Sequence, residues 1–261
     1  MASKIQLRRD TSSNWNNVNP TLAVGEPGFE TDTGQFKIGD GSTSWSSLGY
    51  AGGGGGGAKQ NGAIAIGNEA GQNNQCCQAI AIGYSAGYDC QSCGSVAVGE
   101  YAAEYNQGVH SVAVGSRAGR CNQHWLAVAI GRSAGECNQH LGAIAIGHIA
   151  ATCGQCCHAI AIGTRAGRYY QREHAIAIGY NAGQCYQHCQ AIAIGHYAGQ
   201  CSQSSGAVAI GSYAGECEQG YHAVAIGDGA GEYYQSYLAV AVGRAAGACG
   251  QNHSAVAIGH V

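Results

Sequence analysis

Fourteen cysteines and eleven histidines are the side chains best able to do chemistry in this 261-residue chain. Many of them recur in pairs. Cys121 and His124, Cys137 and His140, Cys153 and Cys156, Cys185 and His188, and Cys90 and Cys93 each leave two residues between them. That gap is the one zinc ligand pairs use, and two neighbouring pairs would complete a four-ligand site. Seven cysteines, Cys121, Cys137, Cys153, Cys185, Cys201, Cys217 and Cys249, sit two residues before a glutamine. Asn73, Asp89, Tyr105, Tyr169 and Tyr233 take the same place elsewhere. Cys76, Cys77, Cys90, Cys93, Cys156, Cys157 and Cys189 lie nearby. Three readings compete: zinc, disulfides between neighbouring copies, and a tolerant column with no chemistry. The exchange of Cys for bulky Tyr favours the last.

Acid–base catalysis finds less support. Glu104, Glu136 and Glu232 share one place, but other copies put Arg, Gln or Thr there. They read as solvated turn residues, and no paired carboxylates of the glycosidase kind recur. The expectation is a protein without enzymatic activity and without a cofactor.

A sixteen-residue unit must position all of these groups. Ala63-Ile64-Ala65-Ile66-Gly67 returns, with Ser or Val variants, up to Ala255–Gly259, 192 residues or twelve intervals of sixteen without an insertion. Gln75, Gln91, Gln107, Gln123, Gln139, Gln155, Gln171, Gln187, Gln203, Gln219, Gln235 and Gln251 mark every copy. Stacked in register, their amides would form a structural ladder. Sixteen residues are too few for a two-helix repeat and exclude a collagen period of three. They suit one coil of a β-solenoid: a short strand, a glycine turn, a second extended piece and another turn. β-Branched residues at the second and fourth places favour the strand. At about 4.8 Å per coil the rod would be about 58 Å long.

Within the strand, Ile or Val alternates with Ala, so both faces are apolar. The Ile/Val face is expected to fill a thin interior, leaving the Ala face for another copy of the chain. The predicted fold class is therefore all-β: a parallel β-solenoid (β-roll) of 16-residue coils, assembled as a homotrimer, with a small N-terminal β module.

Composition bounds the rest. With 44 Gly but only 2 Phe and 1 Met, the chain cannot fill a thick globular core. A net charge of −3, with 7 Arg and no Lys from residue 61 onward, gives no basic face for nucleic acid. No apolar run reaches eighteen residues, so no membrane insertion is expected. Met1 to Asp10 is polar, with no signal peptide. Both prolines, both phenylalanines and two of three tryptophans fall in residues 1–50, a separate module. Residues 51–60, with Gly52 to Gly57, read as a tether to the solenoid of residues 61–261.

The strand unit resembles the head repeats of trimeric autotransporter adhesins, the YadA-like β-roll. Ser95-Val96-Ala97-Val98-Gly99 and Ser111-Val112-Ala113-Val114-Gly115 carry that likeness most closely, and it implies a trimer. The N-terminal segment resembles the N-terminal module of bacteriophage tail-fibre proteins, including tropism determinants and phage hyaluronidase-type tail proteins. The matching features are Ile5-Gln6-Leu7-Arg8-Arg9, Trp15, Asn19-Pro20, Leu22, Gly25-Glu26-Pro27-Gly28, Glu30-Thr31-Asp32-Thr33-Gly34, Lys37-Ile38-Gly39-Asp40-Gly41, Trp45 and Tyr50. This likeness implies a small trimeric β fold near the virion end of a fibre.

Together these imply a structural, adhesive tail fibre or spike located in the virion. It would be made in the host cytoplasm, held to other virion or tail proteins by residues 1–50, and would present variable Tyr, His, Arg and Trp125 side chains to a host glycan or protein. The tip, His253 to Val261, is a second candidate contact. A hyaluronidase-like polysaccharide depolymerase and a metal- or thiol-stabilised filament are the alternatives. An ice-binding face would need a uniform exposed column, which the scattered sixth and seventh places do not provide.

Overall fold

The computed structural model describes residues 7–50 and 62–260. The predicted tether at Gly52 to Gly57 and the last tip residue, Val261, lie outside the described residues.

In the N-terminal module, strand β1 (Arg8–Asp10) pairs in parallel with β2 (Pro27–Glu30), which pairs antiparallel with β3 (Phe36–Ile38). Among the described residues, one helix, α1 (Ser12–Val18), interrupts the expected all-β module. Thr11 starts it, its hydroxyl accepting the Asn14 N–H at 3.3 Å, and Asn19 ends it in the left-handed region at φ 45°. The helix delivers Trp15 to the interior, where it stacks on Trp45 at 4.0 Å, above a fully buried Leu22. A Cβ on Gly28 would stand 2.6 Å from the Trp45 ring, so glycine there allows β2 to lie on the indole. Buried Lys37 donates to the Trp45 carbonyl at 2.7 Å and lies 4.4 Å from the Tyr50 ring centroid. Burial lowers the Lys37 pKa while the Glu30 charge partly restores it. Asp40 closes the last turn, accepting from Thr43 and Ser42, which hold its carboxyl well below the usual range.

The solenoid carries thirteen parallel strands of three residues, from Ile64–Ile66 to Val256–Ile258. Each residue pairs with the one sixteen further on, as Val128 does with Ile144. A second row runs through the cysteine places. It holds five strands from Asp89–Gln91 to Cys153–Gln155 and three from Cys185–Gln187 to Cys217–Gln219. Where Tyr replaces Cys, single bridges such as Cys153 with Tyr169 and Tyr169 with Cys185 carry the row on.

The glycine places differ in what they require. At the fifth place φ lies between 120° and 135° in all thirteen copies, a region closed to other residues. From Gly67 to Gly243, a Cβ would also fall 2.2–2.8 Å from the backbone of the next coil's glycine. At the ninth place φ is only 45–53°, and Ala103 and Ala151 occupy it in two coils. That explains why one glycine never varies and the other does.

The facing of the strand is the reverse of the expectation. Between the end coils, the strand alanines from Ala81 to Ala241 are completely buried, as are the alanines of the first place from Ala79 to Ala239 and of the eighth from Ala70 to Ala230. The Ile and Val residues point outward, half-buried or exposed; Ile130 retains 39 % and Ile162 36 % of its surface. The reason is the width of the coil. Sixteen residues closed by tight turns bring opposite walls so near that only methyl groups fit between them, together with one long flat side chain per coil.

That side chain is the glutamine. Gln91 to Gln235 are buried in every copy. Each Gln amide donates to the carbonyl eleven residues earlier at 2.7–2.9 Å, as Gln123 does to Val112. It also donates to the Oε1 of the next coil's Gln at 2.9–3.3 Å. The amide ladder thus runs inside the roll and satisfies backbone carbonyls that alanine walls cannot reach.

Candidate functional site

Stacking decides which predicted site residues meet. Cys121, Cys137 and Cys153 are register partners in successive coils, and Cys185 begins a second such set with Cys201 and Cys217. His124 and His140 stack in another column with ring centroids 5.1 Å apart, and Cys156 and His188 hold the same place in later coils. The interior Gln separates the two columns along each coil. Among the described residues, no three ligand atoms of these eight side chains lie within 4.8 Å of one another; the group that does is Cys76, Cys77 and Cys93. Among the described residues one disulfide forms, between Cys76 and Cys93, whose Cα atoms are 4.7 Å apart. Its separation is seventeen residues, one off the coil register.

Burial pushes the Cys137 and Cys217 thiols up to about 11, with the neighbouring Cys121 or Cys201 thiol adding to it. Cys153, Cys156, Cys185 and Cys201 are raised for the same reason. A raised thiol pKa means the folded protein holds its proton more tightly than the unfolded chain. The stability this confers is complete below the ordinary thiol value and is lost as pH climbs through about 11. At pH 8 these two should alkylate slowly, behind the exposed Cys189 and Cys249. Mass-resolved labelling checks this; equal rates at all four would contradict it.

The carboxylates differ from their expected solvation. Glu104 is buried, because the same place one coil on is Arg120, whose Nε lies 2.6 Å from its carboxylate. Glu216 and Glu232 occupy that place in two successive coils and escape a reading that compares copies across the whole array. A pair of Glu sixteen residues apart is the signal that finds them. Burial raises the Glu216 pKa, and the Glu232 charge raises it further. With Tyr213, Asp228, Tyr233 and Arg244 they line a groove of about 420 Å³.

A second groove, of about 470 Å³, lies beside Trp125. Gly108 lines it where the coils come closest: a Cβ there would stand 2.5 Å from the backbone of His124 in the next coil. Asn106, Asn122 and Asn138 form its floor, Asn106 donating to Asn122 and Asn122 to Asn138 at 3.1–3.2 Å. All three sit at φ 55–56°, a conformation asparagine tolerates better than other side chains with a Cβ. Asn-Gln in three successive copies is the sequence signal for this floor. Stacked His124 and His140 form one side, and Trp125 stands 63 % exposed. Its chemistry is a flat apolar ring beside a line of amide donors and acceptors, suited to neutral polar ligands with apolar faces. Tyr180, His196, Tyr197 and Tyr213 add a further exposed ring cluster on another turn, with Tyr197 and Tyr213 stacked at 5.4 Å.

No curated protein and no solved structure matches the chain. Residues 5–43 match the family model of the major tropism determinant N-terminal domain. A tropism-determinant domain, followed in the sequence by a sixteen-residue β-solenoid, points to a phage tropism or tail protein.

Proposed function

We propose that the chain is an adhesive tail fibre or spike of a phage. Three copies associate through their Ile/Val faces, residues 1–50 hold the trimer to other virion or tail proteins, and the turn columns meet a host-surface glycan or protein. One observation carries this reading: thirteen strands each turn two branched apolar side chains outward, in rows that climb with the coil. A contiguous apolar face of this length marks an interaction surface. A copy of the same chain has the same rise per coil along its whole length, so it fits every row at once. The trimer expectation therefore stands on the Ile/Val face, with the Ala face enclosed within each roll.

In this reading the Trp125 groove takes a sugar ring. The indole stacks on its apolar face while Asn106, Asn122 and Asn138 bind its hydroxyls, and three copies add avidity. Purified protein should block adsorption of the phage that carries it. The Trp125→Ala variant should need at least about ten-fold more protein for the same block, the loss of roughly 1.4 kcal/mol per site. Absence of any block by saturating unsubstituted protein would sink the adhesive reading.

The stacked Glu216 and Glu232 pair, with the Glu216 pKa raised, favours a second reading as a polysaccharide depolymerase. Release of reducing sugar from host capsule that vanishes in Glu216→Gln would establish it. Unchanged capsule would leave the pair with no hydrolytic role.

A further inference from the structure

Among the described residues, the first coil, residues 63–78, has a neighbour on one side only. Its strand Ile64–Ile66 is the outermost of the thirteen, and at the same end the ladder terminates in a buried Gln75 Oε1 without a donor. At this end the turn residues Cys76 and Cys77 meet Cys93 of the second coil. Cys76 and Cys93 are bonded, Cys77 Sγ lies 3.1 Å from Cys93 Sγ, and all three sulfurs lie within 4.8 Å of one another. Each residue is half-buried, open enough for an ion to enter. The chain holds fourteen cysteines, yet among the described residues this is the one place where three potential ligand atoms converge. A disulfide employs two of them and leaves the third joined only by the Cys77 Sγ hydrogen bond to Cys93 Sγ.

We propose that, with its thiols reduced, this triad binds one divalent cation of the zinc class through three thiolates, and that the ion fastens the end coil to its neighbour. Zinc–sulfur bonds of about 2.3 Å need sulfurs about 4 Å apart, which this cluster meets with small side-chain rotations. Three protein ligands leave a fourth position for water. Thiolates select zinc or copper(I) over magnesium and calcium. Entry to this state needs a dithiol reductant. It gives two electrons and two protons to the Cys76–Cys93 bond, which breaks into two thiols as the reductant closes into its own disulfide. Binding the cation then releases one proton from each of the three thiols to solvent. Oxidised, the same residues make a covalent link between the two coils; reduced, they make a metal link.

The test uses the full chain, reduced with dithiothreitol, desalted without oxygen and titrated with Co²⁺ alone. The expected result is a thiolate-to-cobalt charge-transfer band that saturates with one equivalent at this site and disappears when Zn²⁺ is added. Cys77→Ser, which keeps Cys76 and Cys93 for the disulfide and so preserves the oxidised fold, should bind Co²⁺ at least ten-fold more weakly. Cys189→Ser should bind as the unsubstituted chain does. No band in the unsubstituted protein overturns the proposal. So does a band that survives Cys77→Ser and Cys93→Ser but is lost in Cys137→Ser, which would put the ion in the stacked cysteine column.

Discussion

Gly131→Ala should destabilise the solenoid by about 3 kcal/mol or more, the upper end for a residue forced out of a glycine-only conformation. Gly131 holds φ at 121°, and a Cβ there would lie 2.7 Å from the carbonyl oxygen of Gly147. The obstacle is backbone, held in place by the hydrogen bond from Gly147 N to Ile130 O at 2.8 Å, so it cannot rotate away. Gly135→Ala is the matched control. It sits in the same coil at φ 52°, where Ala103 and Ala151 already occur at 45°, and should cost only about 1 kcal/mol. Its nearest obstacle is the Gln139 Oε1 at 2.8 Å, and Ala103 and Ala151 stand in the same place four residues before the ladder residues Gln107 and Gln155. Urea unfolding of the two variants separates the cases. Equal midpoints would mean that close coil approach at the fifth place does not hold the roll together.

Gln139→Leu should cost about 4 kcal/mol although it preserves volume and increases hydrophobicity, because each buried polar atom left without a partner costs about 1–3 kcal/mol. Gln139 donates to Val128 O at 2.8 Å and to Gln155 Oε1 at 3.1 Å, and it accepts from Gln123 Nε2 at 3.1 Å. Leucine leaves the Val128 carbonyl and the two flanking amides each short of a partner in a fully buried interior. Gln251 is the informative comparison. It stands at the end of the ladder, bonded to Gln235 but to no glutamine beyond, and is 7 % exposed. Gln251→Leu should lose less than half as much, as read by thermal unfolding of both variants. If the two lose the same, the amide chain is not cooperative.

The period, the strand and the invariant Gln are legible in the sequence because register in a solenoid is a linear property: whatever recurs every sixteen residues must stack. The facing of the strand is not. Ile64 and Ala65 are both apolar, so alternation identifies two faces without saying which is inside. The width of a closed sixteen-residue coil decides, and it admits Ala and a flat amide while excluding Ile. Glu104 shows the same limit in another form. Its environment is set by Arg120, sixteen residues away, and only pairing each residue with its counterpart in the next copy exposes that contact. The Glu216 and Glu232 pair needs the same comparison. Helix α1 is not legible in the sequence for want of length: seven residues give too little periodicity, although Thr11 and Asn19 are the end residues such a helix uses. Of the Trp125 groove the sequence shows the ring, but the need for glycine at Gly108 depends on how near the next coil's backbone comes.

The proposed trimeric fibre depends on the outward Ile and Val rows joining copies of the chain. The most direct measurement is the mass of the full chain in solution by light scattering, with Ile144→Asp and Ile160→Asp combined in a second sample. The account predicts a mass three times that of the 26.5 kDa chain, falling to a single chain with unchanged circular dichroism in the double variant. A monomeric mass for the unsubstituted protein would contradict it.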